Sequence, residues 1–272
     1  MHEFGWQQAI IGFADHRDAE RTAVTHVIPI LMRAEDTRLV SAWFIVRKGT
    51  HWRLRYLPTR TGSAHTHITD CLTALHRAGH LADVVETVYE PEVHAFGGHR
   101  AMRIAHRLWH LDSRHLFTPT PSPPRPTRTR EMSLLLCAEM LRAAGLDWYE
   151  QGDVWARAAD HRDPADSIGH LLDPVRRLLT VAPASLTQAG APLAVATTWL
   201  EAFTTSGKAL RRLNDDGHLH RGLRDVLTHH VIFAWNRRGI PDHEQAALAS
   251  TARTVVFGND PTITTETEQA AA

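Results

Sequence analysis

Leu39-Val40-Ser41-Ala42-Trp43-Phe44-Ile45-Val46-Arg47-Lys48 is followed by Gly49-Thr50 and then by His51-Trp52-Arg53-Leu54-Arg55-Tyr56-Leu57. The first run is rich in β-branched and aromatic residues, and the last run alternates. Lys48-Gly49-Thr50 between them is a turn signal. The stretch predicts a β-hairpin. On its second strand His51, Arg53 and Arg55 share one face, and Trp52, Leu54 and Tyr56 share the other. Guanidiniums two residues apart on a strand lie roughly 6–7 Å apart. Such a pair can grip a carboxylate or phosphate through bidentate contacts. A solvated sheet face is the competing reading.

Outward from the hairpin the chain alternates between strand and helix signals. Trp6–Phe13 is short and apolar, which suits a strand. Asp15 reads as the cap of a helix reaching about Ala34, with Val24, Val27, Ile28 and Leu31 at helical spacing. Ile68, Leu72, Leu75 and Leu81 mark a second helix, and Val84–Tyr89 reads as a fourth strand closed by Pro91. The order strand, helix, strand, strand, helix, strand predicts a ferredoxin-like βαββαβ sheet layer within residues 1–118. That fold serves many functions and selects none.

Past Gly97-Gly98 the apolar spacing is helical through Met102, Ala105 and Leu108. Pro119–Arg130 is so dense in proline and arginine that it reads as an exposed linker. Helices are expected near 131–144, 147–160, 168–181, 193–214, 219–237 and 241–257, with Gly145 and Gly217 as stops. The predicted class is therefore α+β: a sheet part (1–118), a linker (119–130), a mostly helical part packed on the sheet (131–258) and a disordered tail (259–272).

The chain has 272 residues, of which 43% are hydrophobic and 22% charged, enough for a sizeable core. Its formal charge is zero, which gives no general field for polyanions. Lys48 and Lys208 are the only lysines. Cys71 and Cys137 form neither a disulfide framework nor a zinc spacing, and both read as small hydrophobes. No apolar run reaches ~18 residues, so no membrane span is expected. No signal segment is evident, and the cytoplasm is the default location.

Further candidate chemistry lies in Tyr89-Glu90-Pro91-Glu92-Val93-His94-Ala95-Phe96-Gly97-Gly98. There a strand ends beside a helix N-terminus, a favourable place for an anion, with Glu92 and His94 as acid/base candidates. The plainer reading has Glu92 capping the helix or pairing with a hairpin arginine. Asp147–Asp153 could line a pocket, but a capped helix start is simpler. His229 and His230 are adjacent on a helix and point about 100° apart, which makes a poor joint metal site. No zinc, nucleotide-loop or nucleophile-elbow motif is present, so neither cofactor nor metal is expected.

In this order, Trp43-Phe44-Ile45-Val46-Arg47-Lys48, His51-Trp52-Arg53-Leu54-Arg55, Tyr89-Glu90-Pro91-Glu92, Phe96-Gly97-Gly98 and Asn236-Arg237 resemble the C-terminal domain of class I lantibiotic dehydratases, shared with thiopeptide biosynthesis proteins. The resemblance covers most of the chain. It implies a lyase that removes glutamate from glutamylated Ser or Thr of a precursor peptide, leaving dehydroalanine or dehydrobutyrine. Here it would be the elimination subunit of a split tRNA-dependent dehydratase.

On that resemblance Arg53, Arg55, Glu92, His94 and His230 are the catalytic candidates. His51, Tyr89, Asn236 and Arg237 are the substrate-binding candidates. Arg53 and Arg55 would bind glutamyl carboxylates or the enolate, and Glu92 would orient them. The implied partners are the precursor peptide, leader and core, and a glutamylating subunit. Direct tRNA contact is not expected, and a homodimer stays open. Two positions depart from the pattern. Ala95 stands where the family carries arginine, and Ile232 and Ala234 occupy the region of its late histidine. A pyridine-synthase-like [4+2] cyclase and a non-catalytic scaffold for leader or dehydratase are the alternatives.

Overall fold

The computed structural model describes residues 5–59, 61–117, 126–163, 169–182, 185 and 196–258. Strands β1 (Gln7–Phe13), β2 (Val40–Lys48), β3 (His51–Pro58) and β4 (Leu81–Thr87) form one sheet in the order β2-β3-β1-β4, antiparallel throughout. Helix α1 is built of Ala19–Thr22, a wider π turn at Ala23–Val27, and Ile28–Asp36. Helix α2 is Thr61–Arg77. This is the expected βαββαβ order, with β4 two to three residues earlier in sequence than its apolar pattern suggested. Asp15 does cap a helical turn, the 3₁₀ segment His16–Asp18, by accepting from Arg17 N–H at 2.8 Å.

Alternation along each strand decides the two faces. Ala9, Ile11, Phe13, Trp43, Ile45, Trp52, Leu54 and Tyr56 pack with α1 and α2 in one core. The opposite face carries Phe44 and Val46, which join a second, aromatic core with Phe96, Met102 and Trp109. Helix α3 (His99–Phe117) contributes Met102, Ala105 and Trp109 to it. The same helix covers the outer edge of β2: Ile45 N–H donates to Ser113 Oγ at 3.3 Å, and His110 Nδ1 lies 3.2 Å from the Trp43 amide nitrogen. An edge covered in this way offers no template for another strand.

The third core is all helical: α4 (Pro126–Ala143), α5 (Trp148–Asp160), α6 (Leu172–Thr180), α7 (Thr197–Asp215), α8 (Leu223–Arg238) and α9 (Asp242–Phe257). Asp147 and Glu150 form the reciprocal capping box that starts α5, so the simpler account of Asp147–Asp153 holds there. Gly145 and Gly217 both take positive φ just beyond helix ends.

One boundary moves. Pro126 opens α4, inside the stretch expected to be linker up to Arg130. Proline is tolerated in a helix's first turn, because the N–H it lacks has no helical acceptor there. Arg130 is then a helical residue, paired with Glu244 of α9 at 2.8 Å. The rest of the expected linker (118–125) and the expected tail (259–272) lie outside the described residues. Cys137 is fully buried and Cys71 partly so, and both are free thiols. Among the described residues no helix is long and apolar enough to cross a membrane.

Candidate functional site

The β3 face away from α1 and α2 is the site's floor. Register places Phe44, Arg55, Gln8 and Thr87 in one row across the four strands, and Val46, Arg53, Ile10 and Val85 in the next. The first row runs under the segment that leaves β4. Tyr89 folds back there, and its ring centre is 4.3 Å from the Arg55 guanidinium. Phe44 lies on the cation as well, at 5.4 Å. Gln8 accepts from Arg55 Nε at 2.7 Å and donates to Thr87 Oγ1 at 2.7 Å. Arg55 is 5% exposed. Its two terminal nitrogens make no hydrogen bond among the described residues.

Burial pulls the Arg55 pKa down to about 10, against the pull of Tyr89 and Glu92 and with the push of Arg53. These four groups therefore share one local field. The Tyr89 hydroxyl hydrogen-bonds His106 Nε2 of α3 at 2.8 Å. Burial, reinforced by Arg55, holds the His106 imidazole down to about 3, so it is neutral at ordinary pH. Tyr89 is likewise held protonated, its pKa raised by burial.

The structure thus brings together Arg53, Arg55, Tyr89 and Glu92 of the expected set. It changes one role: the residue that fixes Arg55 is Gln8, and Glu92 is exposed beside it. His94 is exposed in the turn that follows. The Gly97-Gly98 pair does not open a cradle for an anion. A Cβ at Gly97, where φ is +82°, would meet Leu219 Cδ1 at 2.7 Å and Val226 Cγ2 at 2.9 Å. The glycines let this turn close against α8 and the loop before it, where His220 N–H donates to Gly97 O at 2.9 Å.

The α8 candidates point elsewhere. His230 is 2% exposed, packs edge-on against Phe96 at 5.0 Å, and neither ring nitrogen has a hydrogen-bond partner among the described residues. Burial holds it down to about 3. In this arrangement it is sealed from a substrate on the sheet. Arg237 is buried in an ion pair with Asp112 of α3, and Arg238 completes that cluster with Nη2 at 2.7 Å from Asp112 Oδ1. The Arg237 guanidinium is thus enclosed, away from the sheet face. Asn236 Oδ1 accepts from Gln245 Nε2 at 3.0 Å, which turns it toward α9.

Sequence reasoning passed over Gln8 and His106. His106 does carry a signal, since it sits on the Met102, Ala105, Trp109 stripe of α3, where an apolar residue is the default. His51 lies on the arginine face and is exposed, with Nε2 at 3.5 Å from Asp83 Oδ2 of β4. Among the described residues no three His, Cys, Asp or Glu side chains gather in a metal-holding group. The assembled site is a cationic, aromatic-backed floor suited to an anionic group.

Comparison with known proteins places this fold. The tRNA-dependent lantibiotic dehydratase MibB from Microbispora sp. 107891 superposes with a TM-score of 0.63 at 17% identity, over 94% of this chain and 28% of MibB. This chain therefore spans little more than a quarter of that relative's length. TsrL superposes with a TM-score of 0.61 at 13% identity, over 92% of this chain and 93% of TsrL. No curated protein sequence is similar enough to count as a relative. Residues 6–256 match the sequence profile of the family described as lantibiotic biosynthesis dehydratase, C-terminal. The chain belongs to the C-terminal family of lantibiotic biosynthesis dehydratases.

Proposed function

We propose that this chain eliminates glutamate from glutamylated Ser or Thr residues of a precursor peptide, as the lyase part of a tRNA-dependent dehydratase. The supporting observation is the Arg53–Arg55 pair on one sheet face, with the inner guanidinium gripped at Nε and stacked on Tyr89. Among the described residues that grip leaves the terminal fork of Arg55 without a hydrogen-bond partner, able to meet a carboxylate edge-on. Elimination builds negative charge on an enolate and releases a carboxylate, and preorganised cations stabilise both. Glu92 tempers the field, and His94 is exposed two residues further along the chain. The partners on this reading are the precursor peptide and a glutamylating dehydratase unit.

Mass spectrometry of a glutamylated precursor incubated with the purified chain tests this. Loss of one glutamic acid per modified residue is expected, and Arg53→Ala with Arg55→Ala should abolish it. An unchanged peptide would overturn the proposal. A peptide already carrying dehydroalanines would then test the cyclase alternative.

One observation favours a second reading, a non-catalytic scaffold for the leader or the dehydratase. Arg237 is buried against Asp112 and His230 is sealed, so neither late candidate reaches the sheet face. Peptide binding without turnover would support it.

A further inference from the structure

The arginine face carries another polar arrangement, at the end of β3 away from Tyr89. His51, Gly12 and Asp83 lie side by side on β3, β1 and β4. A whole strand separates the His51 and Asp83 backbones, yet His51 Nε2 is 3.5 Å from Asp83 Oδ2. The glycine between them makes this approach possible. A Cβ on Gly12 would stand 2.6 Å from Asp83 Oδ2, so the carboxylate occupies the space of the missing side chain. Gly12 does not take positive φ, so its backbone does not demand glycine. Room for Asp83 is what an alanine there would remove.

His51 and Asp83 are 48% and 46% exposed, so the pair faces solvent and a substrate can reach it. Arg53 is two residues along on the same face, Lys48 lies opposite His51 on β2, and Thr50 Oγ1 is 3.1 Å from His51 Nδ1. A glutamyl ester whose carboxylate rests on Arg53 and Arg55 would put the modified residue along β3, roughly 6–7 Å per two residues from those cations. A base is needed there. Of the late positions on α8, His230 is sealed, and Ile232 and Ala234 carry no titratable group.

We propose that His51 is the base of the elimination and that Asp83, laid across Gly12, is its positioning residue. The inference rests on the elimination reading above. The Asp83 carboxylate, 3.5 Å from Nε2, favours the Nε2–H tautomer, which leaves the lone pair on Nδ1. Thr50 vacates Nδ1 by rotation about one bond. Nδ1 takes the α-proton, and the C–H electron pair becomes the Cα=Cβ bond. The Cβ–O bond breaks, and glutamate departs as a carboxylate with that bond's electrons, held by Arg53 and Arg55. The imidazolium then returns its proton to water.

The test is steady-state elimination on a glutamylated precursor by the wild type, His51→Gly, His51→Gln, Asp83→Asn and Gly12→Ala, with circular dichroism of each. His51→Gly and His51→Gln should lower kcat by about 10²–10⁴-fold, with KM within a few-fold of wild type. Added imidazole should restore turnover to His51→Gly but not to Gly12→Ala. Asp83→Asn and Gly12→Ala should each lose about tenfold, because the ring is no longer held. Turnover by His51→Gln within twofold of wild type would overturn the inference and leave the elimination reading standing. So would a folded His51→Gly that imidazole does not rescue. An inactive wild type would overturn the elimination reading, and this inference with it.

Discussion

The Arg55 guanidinium lies 4.3 Å from the centre of the Tyr89 ring, and this contact joins the sheet to the segment that leaves it. Tyr89 is in turn tied to His106 of α3, so the cation is held from the sheet by Gln8 and from the helical layer through Tyr89. Gln8→Leu would leave the buried Arg55 Nε–H without an acceptor. The expected cost is about 1–3 kcal/mol of stability. Peptide affinity should fall as well, because the fork loses its orientation. Urea titration and a binding isotherm on the same variant check both, and unchanged values for the two would refute the role given to Gln8.

Among the described residues Asp112 is the only acid paired with the buried Arg237 and Arg238, and Trp199 Nε1 also donates to it at 2.6 Å. Burial pushes this carboxyl up, but the two arginines outweigh burial and hold it down to about 2. Asp112→Asn would strand two buried guanidiniums. A loss of about 3–5 kcal/mol is expected. Replacing all three residues with apolar ones of similar size should cost far less, since no charge is then left unpaired. Denaturation midpoints of the single and triple variants decide it.

The hairpin was legible because two strong local signals agreed: alternation along His51–Leu57 and a glycine turn before it. The rest of the site was less so. Arg53 and Arg55 could be paired from sequence because one strand carries both. Gln8, His106, Gly12 and Asp83 come from other elements, and only strand register and helix docking bring them near. Arg237 looked available because no local pattern reveals Asp112 on a distant helix. The linker boundary failed for a different reason: proline density argued for loop, yet Pro126 occupies the one region of a helix where proline fits.

Helices α4 and α7 touch through a glycine. A Cβ on Gly207 would press on the Met140 carbonyl oxygen and lie 3.1 Å from the Ala143 Cβ. The obstacle is backbone, so it cannot swing aside. Gly207→Ala gains helix propensity but forces the helices apart, with an expected net loss of about 1–3 kcal/mol. A thermal melt showing stabilisation would mean that the two helices do not pack this closely.

Burial should also make the protein sensitive to mild acid. Desolvation, helped by Arg55, holds His106 down to about 3, and desolvation, helped by Arg237, holds His230 down to about 3. An unfolded chain takes up these protons near pH 6.5. Between about pH 6.5 and 3 the unfolded state therefore binds more protons than the folded one, and stability falls as pH falls. Each group contributes a slope of at most about 1.4 kcal/mol per pH unit. The full contribution is present above pH ~6.5, so it does not grow at alkaline pH. Urea midpoints at constant ionic strength should be level from pH 8 to 7 and drop steadily toward pH 5. His230→Leu removes one titrating group and two ring nitrogens that have no hydrogen-bond partner among the described residues. It should raise stability at pH 5 more than at pH 7.5, because only at the lower pH does the unfolded wild type gain that proton. Equal effects at the two pH values would show that His230 is not the buried neutral imidazole described above.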